Sequence, residues 1–420
     1  MRICFISRRY FPAVSGMSVY ARNFTKALAD LGHEVVMISQ YREDKKGVGI
    51  YGGGPPPNEP WMEVHGLRSH GEERARPHIA ADFEQDLRDM VEKALDLHEQ
   101  KPFDVVHAQY CYPTGVAALE VSRILGIPNV VSIQGGDGHW VGLCCETHRL
   151  AMQAVLDHAG SLIIGCDSFA EEVHENHGTP MERFTIIPGA TDTTKFVPTQ
   201  ELGTVRKPVR LLYHGRVDQR KGVLDFVRMG DRLLKEGYEI ELLVSGIGPD
   251  FVPAQELVAE LGIEDYARFL GYAAYADAPA VYAQGDIFLS PTYAEGFSNT
   301  ILEAMATGLP IVSCNAVGVR DCLRHDDNGL MVECGDLDAL TDATRRLLND
   351  ADLRQRLATD ALAEVRAKYS WPVVAQQIAG EYERLLQEPV DAEWTAFFDV
   401  ADVVEDGDMS CRFRAEPHLL

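Results

Sequence analysis

Basic side chains are scarce in this sequence. Its 420 residues contain 39 Lys and Arg against 64 Asp and Glu, which gives a formal net charge of −25 at pH 7. A negative charge of this size repels the phosphate backbone of nucleic acids and the surface of anionic lipids. We therefore expect no nucleic-acid binding and at most peripheral contact with a membrane.

Long hydrophobic runs are also missing. No stretch approaches the ~18 uninterrupted apolar residues of a membrane-spanning helix, and the apolar run at residues 1–7 is too short for a secretory signal peptide. We therefore expect a cytoplasmic protein. The nine cysteines are scattered, which favours reduced, mostly buried thiols over a disulfide framework. Cys144, Cys145 and His148 match no zinc-binding spacing, so we expect structural roles for them and no metal site.

The sequence is rich in short apolar, β-branched runs that alternate with longer amphipathic segments. This alternation is typical of parallel strands joined by crossover helices. The first series of predicted strands comprises residues 3–7, 35–39, 104–108, 129–133, 161–165 and 184–187. The second series comprises residues 209–214, 239–245, 267–270, 286–290, 310–313 and 330–333. Two doubly wound α/β domains follow, residues 1–190 and 209–370, with a Thr-rich linker at 191–208.

Two segments interrupt or follow this pattern. Residues 43–77 contain three glycines followed by three prolines, which cannot continue a helix or a strand. We expect a mobile loop there, either a surface insertion without function or a lid on an acceptor site. Residues 388–420 hold nine acidic and two basic side chains, and we expect a poorly ordered acidic tail.

The loop after the first strand of the second series carries three basic side chains, of which Arg216 and Lys221 are the candidate phosphate ligands. It reads HGRVDQRKG over residues 214–222, with Arg216 and Lys221 in a strongly acidic half of the chain. Ligands of doubly wound sheets bind at the carboxyl ends of the strands. A phosphate or diphosphate is therefore the natural partner of these two side chains. The alternative is a pair of solvated surface charges.

A second loop, SPTYAEGFSNTILE over residues 290–303, also leads from a strand into a helix. Ser298 and Asn299 are good N-caps, and the free N–H groups of a helix start can receive phosphate oxygens. Glu295 and Glu303 would be repelled by a diphosphate, so we expect them to accept hydrogen bonds from neutral sugar or ribose hydroxyls. The alternative roles are those of a first-turn acid and a surface acid.

The set Gly215, Arg216, Lys221, Glu295 and Glu303 resembles the donor-site signature of the retaining glycosyltransferases of family 4. That family has the GT-B fold, in which two Rossmann-like doubly wound domains face each other across a cleft. The resemblance extends to about residue 387. It is supported by Gly16, the sequence GHEV at 32–35, Ile187 and Pro188 with Asp192 and Phe196, and the sequence NGL at 328–330.

The resemblance implies that the two domains bind different substrates. The N-terminal domain would bind the acceptor, the C-terminal domain would bind the nucleotide sugar, and a helix at residues 371–387 would cross back to the first domain. Arg216 and Lys221 would bind the diphosphate, Glu295 the hydroxyls of the donor sugar, and Glu303 the ribose. The remaining donor-site positions are Gly16, Gly215, Gly246, Phe297, Ser298, Asn299 and Thr300.

One position departs from the family, because Gln134 stands where a histidine usually faces the reacting sugar. A glutamine donates and accepts hydrogen bonds but does not titrate near neutrality, so Gln134 would hold the sugar without transferring a proton. Asp137 would orient the acceptor hydroxyl or act as its base; its alternative role is to cap the next helix. The candidate acceptor contacts are Arg8, Arg9, His107 and His139.

The function that the resemblance implies is retaining transfer of a hexose from a nucleotide-diphosphate sugar to an acceptor hydroxyl, in surface polysaccharide or glycoconjugate assembly. The acceptor would be a carbohydrate, a glycolipid or a small molecule, and neither a metal nor a cofactor is expected. Front-face substitution would make catalysis mostly electrostatic. The alternatives are a nucleotide-sugar-binding protein without transferase activity, which only Gln134 favours, glycosylation of a secreted small molecule, or a GT-B phosphorylase or epimerase. No Gly-x-Gly-x-x-Gly follows the first strand, which disfavours a dehydrogenase.

Overall fold

A seven-stranded parallel sheet forms the centre of the first half of the chain. The computed structural model describes residues 1–13, 15–43, 48, 52–71 and 83–394. Within them the strands of this sheet are β1 (Arg2–Ser7), β2 (Glu34–Tyr41), β3 (Met62–Arg68), β4 (Val105–Gln109), β5 (Asn129–Ile133), β6 (Ser161–Ile164) and β7 (Phe184–Ile186). Their spatial order is β3-β2-β1-β4-β5-β6-β7.

A second parallel sheet, six-stranded within the described residues, repeats the same winding. Its strands are β8 (Val209–His214), β9 (Ile240–Ser245), β10 (Ala267–Gly271), β11 (Ile287–Ser290), β12 (Ile311–Cys314) and β13 (Leu330–Val332). Their order is β10-β9-β8-β11-β12-β13. The strand order therefore reverses between β1 and β4 in one sheet and between β8 and β11 in the other, and ligands of such sheets bind at this switch point.

Helices connect the strands on both sheets. Those of the first sheet are α1 (Gly16–Asp30), α2 (Phe83–Gln100), α3 (Val116–Leu125), α4 (Gly136–His139), α5 (Glu146–His158) and α6 (Asp167–His177). Those after β8 are α7 (Val223–Lys235), α8 (Phe251–Leu261), α9 (Ala278–Tyr282), α10 (Asn299–Ala306), α11 (Leu337–Asn349), α12 (Ala351–Lys368) and α13 (Trp371–Leu385). Among the described residues, no helix is both long enough and apolar enough to cross a membrane.

The described chain forms two units. Met1–Pro188 and the chain from Val374 onward make up the first, and Gly189–Val373 makes up the second. The central strands β4 and β5 are buried along their whole length, as expected for strands covered by helices on both faces. Helix α7 shows the matching amphipathic pattern, because it buries Phe226, Val227 and Leu233 against its sheet.

All twelve strands predicted from the apolar runs are confirmed, but one further strand was missed. Strand β3 lies inside the segment 43–77, which we expected to be a loop throughout, and pairs in parallel with β2. The expectation was wrong because β3 is an edge strand that contains Gly66 and buries only two apolar side chains, Met62 and Val64. Residues 44–47, 49–51 and 72–77 of that segment, and residues 395–420 of the expected tail, lie outside the described residues.

Candidate active site

The loop after β8 lies directly against the loop after β9. Gly215 and Gly246 have φ values of 143° and 131°, which favour glycine. A Cβ atom on Gly246 would lie 1.7 Å from the carbonyl oxygen of Gly215, so any side chain there would clash. Both residues therefore shape the backbone, which brings the candidate cations to the carboxyl edge of the second sheet.

Lys221 joins this loop to the loop after β11. Its Nζ atom lies 2.8 Å from Glu295 Oε2 and donates a hydrogen bond to the carbonyl of Ala294 at 2.9 Å. The loops meet closely, because a Cβ atom on Gly222 would lie 2.1 Å from the carbonyl oxygen of Pro291. The two sides of the switch point thus form one polar surface, in which residues 74 positions apart in sequence are paired.

Neighbouring loops hold Glu295 in place. Its backbone N–H donates to the carbonyl of Val317 at 3.0 Å, and Thr292 Oγ1 lies 3.4 Å from its Oε1. Gly318, with φ of 72°, approaches so closely that a Cβ atom would lie 2.2 Å from the Glu295 carbonyl oxygen. The carboxylate remains about one-fifth exposed, so a ligand hydroxyl can reach it.

Arg216 lies beside Asp218, with 3.4 Å between its Nε and the Asp218 Oδ2 atom. Burial raises the pKa of Asp218, but hydrogen bonds from Arg220 and the charge of Arg216 outweigh this effect, so its pKa lies below the ordinary value. Tyr213 donates a hydrogen bond from its hydroxyl to the Arg216 carbonyl at 2.6 Å. Asp218 and Tyr213 therefore position Arg216, a role that was not predicted for either residue.

Glu303 is buried beneath this surface. The hydroxyl of Tyr282 donates to Glu303 Oε2 at 2.8 Å, and burial raises the pKa of Glu303 to about 7. The ring of His214 packs edge-on against Tyr282 at 5.1 Å, and its Nδ1 lies 3.0 Å from Ser245 Oγ. Burial lowers the pKa of His214 to about 4, so this imidazole is neutral at pH 7. Glu303 is therefore not a surface acid, and its partner Tyr282 could not be predicted from the sequence pattern.

Helix α10 begins at the same edge. Ser298 is its N-cap residue, without a side-chain capping bond, and Ser298 Oγ lies 3.3 Å from Thr300 Oγ1. Asn299 is half-buried at the first helical position. The ring of Phe297 packs against the ring of Tyr369, with centroids 5.6 Å apart. The side chain of Phe297 thus packs against the protein, so this residue can contact a ligand only through its backbone groups.

In the first unit, a polar chain connects the carboxyl edge of the sheet with the start of α1. Ser7 Oγ donates to Gln109 Oε1 at 2.7 Å, and Gln109 Nε2 donates to Gln134 Oε1 at 2.7 Å and to the Met17 carbonyl at 3.1 Å. Gly16 is the first residue of α1, and a Cβ atom there would meet no described atom within 4 Å. Gln109 is thus a buried positioning residue for Gln134.

Comparison with known proteins identifies the family. A model described as a glycosyl transferase 4-like domain matches residues 15–190, and a model described as glycosyl transferases group 1 matches residues 208–350. The chain is a group 1 glycosyltransferase of family 4. An uncharacterized glycosyltransferase of Methanocaldococcus jannaschii is 24% identical to it over 404 residues, which cover 91% of this chain and 98% of the relative.

Solved structures show that this glycosyltransferase has the GT-B fold with two Rossmann-like domains. Sucrose-phosphate synthase from Thermosynechococcus elongatus is similar with a TM-score of 0.75 and 22% identity, over 92% of this chain and 99% of that one. HepE from Anabaena, solved in complex with UDP, is similar with a TM-score of 0.72 and 18% identity, over 91% of this chain and 100% of that one. The predicted fold class is confirmed.

Asp137 of the glycosyltransferase does not serve as an exposed base. It is completely buried, and its Oδ2 accepts the N–H of Cys111 at 3.0 Å. Its Oδ1 accepts the N–H groups of Gly135 at 2.9 Å and Gln134 at 3.2 Å. Asp137 therefore ties together the loops that follow β4 and β5. The expectation that it contacts an acceptor hydroxyl is wrong in this structure, because neither carboxylate oxygen is accessible.

His107 was also expected at the acceptor side, and this expectation is wrong for the same reason. Strand β4 is covered on both faces, so His107 is fully buried. Its Nε2 lies 2.7 Å from Ser132 Oγ, and its Nδ1 is hydrogen-bonded to the hydroxyl of Tyr382 in α13. Burial lowers its pKa to about 3, so this histidine is a neutral core residue.

The other acceptor candidates have defined surroundings. Arg8 and Arg9 are buried, with exposed fractions of 1% and 5%, so neither is a solvated surface charge. The Arg8 guanidinium lies 5.3 Å from the centre of the Phe83 ring. His139 is half-buried, with its Nδ1 2.8 Å from Glu172 Oε1. Contact of these three side chains with an acceptor stays a prediction.

Proposed function

We propose that this glycosyltransferase moves a hexosyl group from a nucleoside-diphosphate sugar to an acceptor hydroxyl with retention at the anomeric carbon. The observation that carries the proposal is the surface formed by Arg216, Lys221 and Glu295 at the switch point of the second sheet. Two cations there match a diphosphate, and a carboxylate beside them matches the hydroxyls of the attached sugar.

The diphosphate binds to Arg216, Lys221 and the first-turn N–H groups of α10 in this proposal. On binding, it competes with Glu295 for the Lys221 ammonium, which is held at 2.8 Å in the structure. Release from that ion pair leaves the Glu295 carboxylate able to accept hydrogen bonds from the donor sugar. The same cations neutralise the charge that develops on the diphosphate as the glycosidic bond breaks, without a metal ion at this site.

Glu303 binds the ribose in the same proposal. Tyr282 occupies Oε2 of its carboxylate, which leaves Oε1 to accept a ribose hydroxyl. Since burial raises the pKa of Glu303 to about 7, the group gains its second acceptor only when it is ionised. Neutral hydroxyl donors on both oxygens then stabilise the carboxylate form.

Chemistry follows by front-face substitution. The bond from the anomeric carbon to the diphosphate oxygen breaks while the acceptor oxygen bonds to the same face of that carbon, and the acceptor proton passes to the departing diphosphate. The structure supports this route in two ways: Asp137 is buried with both oxygens engaged, and Gln134 cannot take a proton. Gln134, held by Gln109, would orient the sugar.

The donor and pathway are further parts of the proposal. HepE, the GT-B neighbour solved with UDP, makes a uridine nucleotide the first donor to test. The acceptor would be a carbohydrate, a glycolipid or a small molecule, and the pathway would be surface polysaccharide or glycoconjugate assembly in the cytoplasm. The proposed acceptor class and pathway rest on the membership of this chain in the glycosyltransferase family.

The test is release of product nucleotide from UDP-, GDP-, ADP- and dTDP-sugars, with Glu295→Ala measured beside the wild type. The proposal expects slow hydrolysis of one donor by the wild type and loss of that activity in the variant. Proton NMR of the released sugar should show the retained anomer first. An inverted product would contradict retention, and equal hydrolysis by both proteins would contradict the role of Glu295.

A further inference from the structure

Three side chains of types that can ligate a metal ion converge at the start of α5 in the first unit. The Sγ atoms of Cys144 and Cys145 each lie 3.2 Å from the same atom, Nδ1 of His148. All three ligand atoms lie within 4.8 Å of one another. Cys144 lies at a bend and Cys145 on extended backbone, and this chain path brings both thiols to the same imidazole nitrogen.

The distances suit a tetrahedral ion. Zinc lies about 2.3 Å from thiolate sulfur and about 2.0 Å from imidazole nitrogen, which separates the two ligand atoms by roughly 3.5 Å at a tetrahedral angle. Each observed S–N distance is within a few tenths of an ångström of this value. Thiolate and imidazole are also the ligand types that zinc prefers.

Surrounding groups fix the cluster in place. His148 is completely buried, and its ring packs edge-on against the ring of Tyr112 with 4.6 Å between centroids. Cys145 is the N-cap residue of the 13-residue helix α5, and its backbone is extended there. Cys144 and Cys145 are half-buried, which leaves a solvent side for a fourth ligand.

We propose that Cys144, Cys145 and His148 form a binding site for one Zn²⁺ ion, with water as the fourth ligand. The site would fasten residues 134–145, which carry Gln134, Asp137 and His139, to the start of α5. This replaces the expectation that the three residues have only structural roles without metal.

The first experiment uses the full-length protein treated with a chelator and then titrated with Co²⁺. The proposal expects one cobalt per chain with thiolate-to-cobalt charge-transfer absorption, displaced by Zn²⁺. Cys144→Ser and Cys145→Ser should each lower the Zn²⁺ affinity at least about tenfold. Cys334→Ser, at an exposed cysteine of the second unit, is the control and should leave stoichiometry and affinity unchanged.

A second measurement avoids variants altogether. Zn²⁺ should protect Cys144 and Cys145 of the wild type against iodoacetamide, mapped by mass spectrometry, at least about tenfold, while Cys334 reacts at the same rate with and without the ion. Absence of cobalt absorption, or alkylation of Cys144 and Cys145 at equal rates with and without Zn²⁺, would overturn the proposal. So would a folded C144S/C145S variant, checked by circular dichroism, with wild-type affinity.

Discussion

Lys221→Ala tests whether the Lys221 ammonium serves mainly to bind the donor diphosphate or mainly to stabilise the fold. In the free enzyme Lys221 pairs with Glu295 at 2.8 Å, but about a third of the lysine side chain is exposed. Such partly exposed pairs contribute about 0–1 kcal/mol to folding. A charge-assisted hydrogen bond to a diphosphate contributes about 1.5–3 kcal/mol. Lys221→Ala should therefore lower kcat/KM for the donor about 10- to 150-fold and lower the free energy of unfolding by less than about 1 kcal/mol.

The assay is steady-state nucleotide release, with urea unfolding followed in parallel. Lys235→Ala is a matched control, because Lys235 forms a comparable ion pair with Asp231 at 2.8 Å on α7. This variant should keep wild-type turnover. If Lys221→Ala retained kcat/KM within about threefold, its bond to the transferred phosphate would be worth less than about 0.7 kcal/mol, and the assignment of this lysine to the diphosphate would be refuted.

Three further predictions test other parts of the structure. Burial raises the pKa of Glu303 to about 7 in the folded state. The wild type should therefore lose stability as the pH rises from the ordinary pKa of a glutamate carboxyl to 7. Thermal unfolding curves of Glu303→Gln should lack this loss. Tyr382→Phe removes the bond to a core histidine and should cost about 1 kcal/mol of unfolding free energy with unchanged turnover; a large loss of turnover would contradict the core role. Gly222→Ala would place Cβ 2.1 Å from a carbonyl oxygen, whereas Gly178→Ala, at nearly the same positive φ, meets no described atom within 4 Å. Only the first should lose donor affinity, and it should lose more stability.

Much of the fold could be predicted from periodicity, because buried parallel strands are short, continuous apolar runs. Strand β3 could not, since it lies at the edge of the sheet, buries only Met62 and Val64, and belongs to a segment rich in glycine and proline. Pairing with β2, rather than local sequence, specifies this strand.

The convergence of Arg216, Lys221 and Glu295 could be predicted because each follows a strand of the same sheet, and parallel strands bring their carboxyl ends to one edge. What the sequence does not show is burial. His107 lies within strand β4 and Asp137 within helix α4, and both are enclosed by other elements. One partner of His107 is Tyr382, 275 residues away, and no local spacing indicates that contact.

At the cysteine cluster, the structure brings together residues whose sequence spacing did not predict a site. Adjacent cysteines with a histidine three positions later match no familiar zinc spacing, and the sequence favours a structural interpretation. The backbone around the start of α5 nevertheless turns both sulfur atoms toward one imidazole nitrogen. Ligand convergence is therefore a property of the folded chain that the spacing alone did not reveal.

The most direct test of the central claim is calorimetric titration of UDP into the wild type, the Arg216→Ala/Lys221→Ala double variant and Glu295→Ala. If the second unit holds the diphosphate on these two cations, the double variant should bind UDP at least about 100-fold more weakly. Glu295→Ala should bind UDP at least as tightly as the wild type, because its carboxylate no longer competes for Lys221, yet it should fail to cleave the sugar nucleotide. Wild-type UDP affinity in the double variant would contradict the account.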